Sequence, residues 1–112
     1  MIDAAIMIKS HQTKMEVVEH EIGAWYVLRD GEEYYLDVRT GLFGYGFWLL
    51  MRLNDEEVDG YLITRKAFIK PLVGEILHRP QLYFMRNESI DKQKTAFDAI
   101  TAWRQGPRRP RV

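Results

Sequence analysis

Along the first half of the chain, apolar and polar residues alternate with the period of a strand, and along the second half with the period of a helix. Lys14–Ile22 reads as a first strand in which Met15 and Val17 alternate with Glu16; Val18 and Glu19 break the phase and predict a bulge. Gly23 punctuates it. Ala24–Arg29 and Glu32–Arg39 flank Asp30-Gly31, the strongest short-range hairpin signal in the chain. Thr40–Gly46, with three glycines, predicts a turn before a further strand. There Tyr45, Phe47, Leu49, Met51 and Leu53 alternate with Gly46, Trp48, Leu50 and Arg52.

The period changes at Asn54, a good N-cap followed by Asp55, Glu56 and Glu57, where a helix dipole favours acids. Val58, Tyr61, Leu62, Ile69, Leu72, Val73 and Ile76 follow at helical spacing. Pro71 inside that run predicts a kink, or a second helix starting near it. Gln81–Arg86 reads as a last strand. Asn87 or Ser89 can cap a final helix over Asp91–Gln105, with Phe97, Ile100 and Trp103 on one face and Gly106-Pro107 as its stop. The fold class is therefore α+β: an antiparallel β-meander packed against a long helix, Pro-kinked or broken, followed by a strand and a C-terminal helix. Residues 1–106 make one domain, and 107–112 a basic, proline-rich tail expected to be mobile.

A two-residue turn at Asp30-Gly31 pairs Arg29 with Glu32, Leu28 with Glu33 and Val27 with Tyr34. One sheet face then carries Trp25, Val27, Tyr34 and Leu36 and packs under the long helix. The other carries Tyr26, Leu28, Glu33, Tyr35 and Asp37, joined by Trp48, Leu50 and Arg52 if the next strand pairs in phase. A sheet covered on one side only should be polar on this second face, and this one is aromatic with interspersed charge. Three readings account for that: the C-terminal helix covers it, it is a recognition surface, since Tyr and Trp beside charges match interface chemistry, or it is a homodimer interface.

Composition narrows the chemistry. The chain has 112 residues, 46% apolar and 29% charged, an ordinary globular balance. It contains no cysteine, which excludes disulfides, thiolate metal sites and cysteine nucleophiles. The apolar stretch Ala4–Ile8 is too short for a signal core or a membrane span, so a cytoplasmic protein is expected. Sixteen acids balance sixteen bases, but unevenly: residues 1–60 hold 12 acids and 5 bases, residues 61–112 hold 4 acids and 11 bases. Charge divided in this way favours an oriented encounter with another macromolecule.

Catalytic chemistry finds little support. His11, His20 and His78 form no i,i+4 pair, and His20 and Glu21 point to opposite faces of a strand. Gly41, Gly44 and Gly46 lack the lysine and following helix of a phosphate loop, and no serine sits in a nucleophile elbow. No catalytic residue, metal, cofactor or small-molecule substrate is expected. Arg65 falls within the apolar stripe between Leu62 and Ile69. Either it snorkels outward, or the helix phase shifts, or it is buried against Asp37 or Glu33.

The stretch from Glu21 to Leu77 holds a tryptophan-bearing strand, a YYLD strand, a further apolar strand and an acid-started helix. In this it resembles small bacterial immunity proteins of polymorphic-toxin and contact-dependent growth-inhibition systems. The resemblance covers roughly half the chain and supplies a class of function without a residue set. It implies a non-enzymatic cytosolic protein that binds one toxin domain and blocks its active site or substrate path. A nuclease toxin has a basic cleft, which an acidic, aromatic-bearing surface complements. On that reading Glu19, Glu21, Glu32, Glu33 and Asp37 supply charge, and Tyr26, Tyr35 and Trp48 act as anchors. The alternatives are a regulator that binds nucleic acid through Arg104, Arg108, Arg109 and Arg111 with Tyr83 and Phe84 stacking, or a homodimer joined through the aromatic face.

Overall fold

In a computed structural model, the strand-period half of the chain folds into one antiparallel sheet and the helix-period half covers both of its faces. The structure describes residues 15–21, 23–40 and 47–106. Expectations for residues 1–14, Ile22, the turn at residues 41–46 and the tail at residues 107–112 lie outside the described residues, as does His11. The strands are β1 (Glu16–Glu21), β2 (Trp25–Asp30), β3 (Glu33–Thr40) and β4 (Phe47–Arg52), in the order β1-β2-β3-β4. The expected bulge is present: Val17 pairs with Leu28 and Glu19 with Val27, which leaves Val18 as the extra residue.

The β2–β3 register differs from expectation by two residues. Asp30 pairs with Glu33, Leu28 with Tyr35 and Val27 with Leu36, so the loop residues are Gly31 and Glu32. Gly31 has φ +68, and Asp30 and Glu32 are not left-handed. A two-residue turn with positive φ at its first central position alone puts glycine there and leaves Asp30 in the ladder. A slip of two preserves the side-chain alternation, so both faces keep the residues predicted for them.

On the first face Trp25, Val27, Leu36, Val38, Leu49, Met51 and Leu53 pack against Tyr61, Ile69, Val73 and Ile76 of two helices. These are α1 (Asp55–Thr64) and α2 (Lys66–His78). Asn54 opens α1 with a capping box: its side chain accepts from the Glu57 amide, and Glu57 accepts from the Asn54 amide, each at 2.8 Å.

The break in the helical run falls at Arg65 (φ 51, ψ −122), six residues before Pro71, and α2 runs through the proline. The spacing explains the position. In one continuous helix Tyr61, Arg65 and Ile69 would share a face, and Tyr61 and Ile69 are buried. The corner instead turns Arg65 to solvent, its guanidinium 5.1 Å from the Tyr61 ring centre. An unpaired buried guanidinium is avoided at the cost of one strained residue. Neither suggested partner is used: Asp37 pairs with Arg39, and Glu33 accepts the Tyr35 hydroxyl.

The expected strand at Gln81–Arg86 is absent. The segment forms two 3-10 turns, Pro80–Leu82 and Phe84–Arg86. Just past it, Asn87 makes an isolated antiparallel bridge to Met51. The stretch is a short apolar run with no Val, Ile or Thr; Tyr83 packs against the first core, while Leu82, Phe84 and Met85 are exposed. Helix α3 (Ile90–Arg104) follows, with Ser89 accepting from the Lys92 amide. It crosses the second face and buries Tyr26, Leu28, Tyr35 and Leu50 beneath Ala96 and Ile100. Covering by the C-terminal helix therefore accounts for the aromatic second face. No helix among the described residues is long and apolar enough to cross a membrane.

Candidate functional site

The eight residues singled out from the sequence divide between the two ends of the sheet. Towards the β1–β2 turn, Asp37 is fully buried. It accepts the Trp48 indole N–H and two hydrogen bonds from Arg39, at 2.7 and 3.5 Å. Burial pushes the Asp37 carboxyl above its ordinary value, and the Arg39 and Trp48 contacts offset only part of that rise. The guanidinium of Arg39 lies 4.7 Å from the Trp48 ring centre and 5.7 Å from that of Tyr26. Tyr26 also meets Trp103 edge-on, with His20 stacked beside it. This cluster is a pin that fastens strands and α3 together. It holds Tyr26 and Asp37 inside the protein and leaves Trp48 half-buried against Phe97.

Tyr35 is also buried, with Lys92 over its ring. Glu19 and Glu21 face the opposite side from these aromatics, beside Val27 and Trp25. Glu19 accepts the hydroxyl of Tyr61, whose pKa is pushed up to about 12 by burial first and by that carboxylate second. The eight residues therefore form no single surface. Glu32 and Glu33 are the exposed members at the β2–β3 turn.

That turn belongs to an acidic end of the sheet which the topology assembles from separate segments. The Leu53 amide donates to the Tyr34 carbonyl at 2.8 Å, setting the start of α1, with exposed Asp55 and Glu56, beside the exposed Glu32 and Glu33. From the other side, the Glu88 amide donates to the Leu50 carbonyl at 2.8 Å. The Tyr35 hydroxyl sits among these groups and donates to Glu33 at 2.9 Å. Burial, and then Glu33, Glu88 and Asp30, raise its pKa well above the ordinary phenol value.

Between β4 and the second 3-10 turn runs an open groove of about 350 Å³, lined by Arg52, Leu53, Asn54, Met85, Arg86, Asn87 and Glu88. Its wall is braced: Arg86 donates to both Glu57 carboxylate oxygens at 2.6 and 3.0 Å and to the Arg52 carbonyl at 3.0 Å. Asn87 Oδ1 accepts from the Leu50 amide at 3.0 Å. Burial raises the Glu57 pKa, but the Arg86 and Asn54 hydrogen bonds outweigh it and hold the carboxyl below its ordinary range.

The sequence pattern marks Asp55 and Glu56 only as acids at a dipole-favoured helix start and gives no role to Met85 and Glu88. The usable signal was the absence of β-branched residues from Gln81 to Arg86 directly before a capping Ser89. Among the described residues no three His, Asp or Glu side chains gather in a metal-binding arrangement. Compared with known proteins, the chain matches no family model, no curated protein and no solved structure.

Proposed function

We propose that this protein is a binding protein that neutralises a basic protein domain, as an immunity protein does a toxin, with the acidic end of the sheet as its contact surface. The observation that carries the reading is the convergence of carboxylates from three separate segments on one end of a braced scaffold: Asp30, Glu32 and Glu33; Asp55 and Glu56; and Glu88. Exposed carboxylates on rigid elements raise the local potential, steer a positively charged partner into register and exclude acidic ones. A basic nuclease cleft is the partner that this field fits best, and occupying it would block the substrate path.

The test is binding to the C-terminal domain encoded by the gene immediately upstream. The expected result is a stable complex whose association slows with added salt and slows further when Glu32 and Glu33 are both changed to lysine. Absence of a complex would overturn the reading. Association unchanged by the double substitution would move the contact away from this end.

A further inference from the structure

The segment from Pro80 to Ile90 presents its apolar side chains the wrong way round for a solvated connection. Met85 is 91% exposed, Ile90 76% and Leu82 57%, while Arg86 and Glu88 of the same segment are half-buried and Tyr83 packs against the first core. Arg86 is committed to Glu57 and the Arg52 carbonyl, Asn87 to the Leu50 amide, and the Glu88 amide to the Leu50 carbonyl. These bonds tie the segment to β4 and α1 at several points, so its backbone is ordered before any partner arrives. With the backbone already ordered, only side-chain freedom is lost on binding, and methionine is enriched in the cores of protein interfaces.

Resting on the functional reading above, we propose that Met85, with the exposed Leu82 and Ile90 of the same segment, is the apolar anchor of the partner interface. Its occupant is a basic protein surface carrying an apolar recess. The rim defines the partner's charge. Glu88 and Asp91 follow the anchor in sequence, and Asp55 and Glu56 follow directly on the groove residue Asn54; against them the lining sets the exposed Arg52, while Arg86 is neutralised by Glu57, so acids predominate. The same rim disfavours the other occupants. A second copy docking symmetrically through this face would bring carboxylates against carboxylates, and an anionic lipid surface would be repelled. Met85 then supplies the desolvated centre of the interface, and the carboxylates supply orientation and association rate.

Met85→Asp separates the two roles because it adds a negative charge while removing the apolar contact. The probe is the upstream-encoded domain, used with the full-length protein. Apolar anchoring predicts that Met85→Asp weakens the complex at least about thirtyfold, while Met85→Leu stays within about threefold of the parent. All three forms should unfold at the same temperature, because the side chain is exposed. Dilute hydrogen peroxide gives a second readout. In the free protein Met85 should oxidise well before the buried Met15 and Met51, and the partner should protect it.

Binding by the parent with Met85→Asp equal or tighter, or with Met85 unprotected, overturns the anchor and leaves the function standing. Failure of the parent to bind removes both. Dimerisation of the parent alone that Met85→Asp abolishes would make a second copy the occupant, and so overturn the inference.

Discussion

Asp37 is where the structure makes its most demanding statement about stability. The carboxylate is fully buried and accepts from the Trp48 indole and twice from Arg39, whose side chain is 29% exposed. Asp37→Ala removes all three acceptor contacts. Deleting one member of a fully buried ion pair costs about 3–5 kcal/mol, but Arg39 can turn partly to water, so the expected loss is about 2–4 kcal/mol. With an m-value of about 1.3 kcal/mol per M, that is a midpoint shift of roughly 1.5–3 M urea. Asp37→Asn keeps an acceptor for Trp48 and carries no charge to desolvate, so it should cost only about 1–2 kcal/mol.

The pH dependence has a definite sign. Burial raises the folded-state pKa of Asp37 above the ordinary 3.8. The wild-type protein therefore gains stability from this group at low pH and loses it as pH rises through the raised value. The stability deficit of Asp37→Asn should be largest in acid and shrink towards neutrality. Equilibrium urea unfolding followed by tryptophan fluorescence, at several pH values, measures both effects. A loss under about 1 kcal/mol for Asp37→Ala, or a deficit for Asp37→Asn that grows with pH, would refute the reasoning.

Other positions give sharp contrasts. Arg65 occupies a conformation that costs a side-chain-bearing residue of order 1 kcal/mol or more, so Arg65→Gly should raise the urea midpoint while Arg65→Ala does not. Gly60 and Gly74 both lie inside helices, where alanine normally gains about 0.5–1 kcal/mol. Gly74→Ala enters open space and should stabilise. The Cβ of Gly60→Ala would lie 2.6 Å from the Phe68 ring, which packs on the core, and should destabilise; thermal unfolding of the two variants decides. Glu57 is held below its ordinary 4.5, so its contribution is present above that value and lost as pH falls through the lowered one. Acid unfolding of Arg86→Met should therefore begin at higher pH than that of the parent.

The strands, their alternation, the β1 bulge, the Asn54 cap and the last helix follow from local signals, because backbone propensity and side-chain period act within a few residues. The alternation also assigned both sheet faces correctly although the hairpin register was displaced by two. Whether a turn centres on Asp30-Gly31 or Gly31-Glu32 depends on where the ladder demands a left-handed residue, and both centres leave the faces unchanged.

The tertiary structure decided what depends on neighbours distant in the chain. Pro71 looked like the breaking point of the long helix. The break came at Arg65 because a continuous helix would have driven a guanidinium under the sheet, and only packing makes that costly. Gln81–Arg86 read as a short apolar strand, but the sheet edge it would have joined is met instead by Asn87 and Glu88. Tyr26, Tyr35 and Asp37 carried the chemistry of a recognition surface until α3 covered them, leaving Glu32 and Glu33 to join Asp55, Glu56 and Glu88 from other segments. Composition along the chain thus determined that the protein would be charge-divided and aromatic-rich. Which of those groups meet water, and which meet each other, was set by long-range burial, where the costs of desolvating charge and exposing apolar surface are decided together.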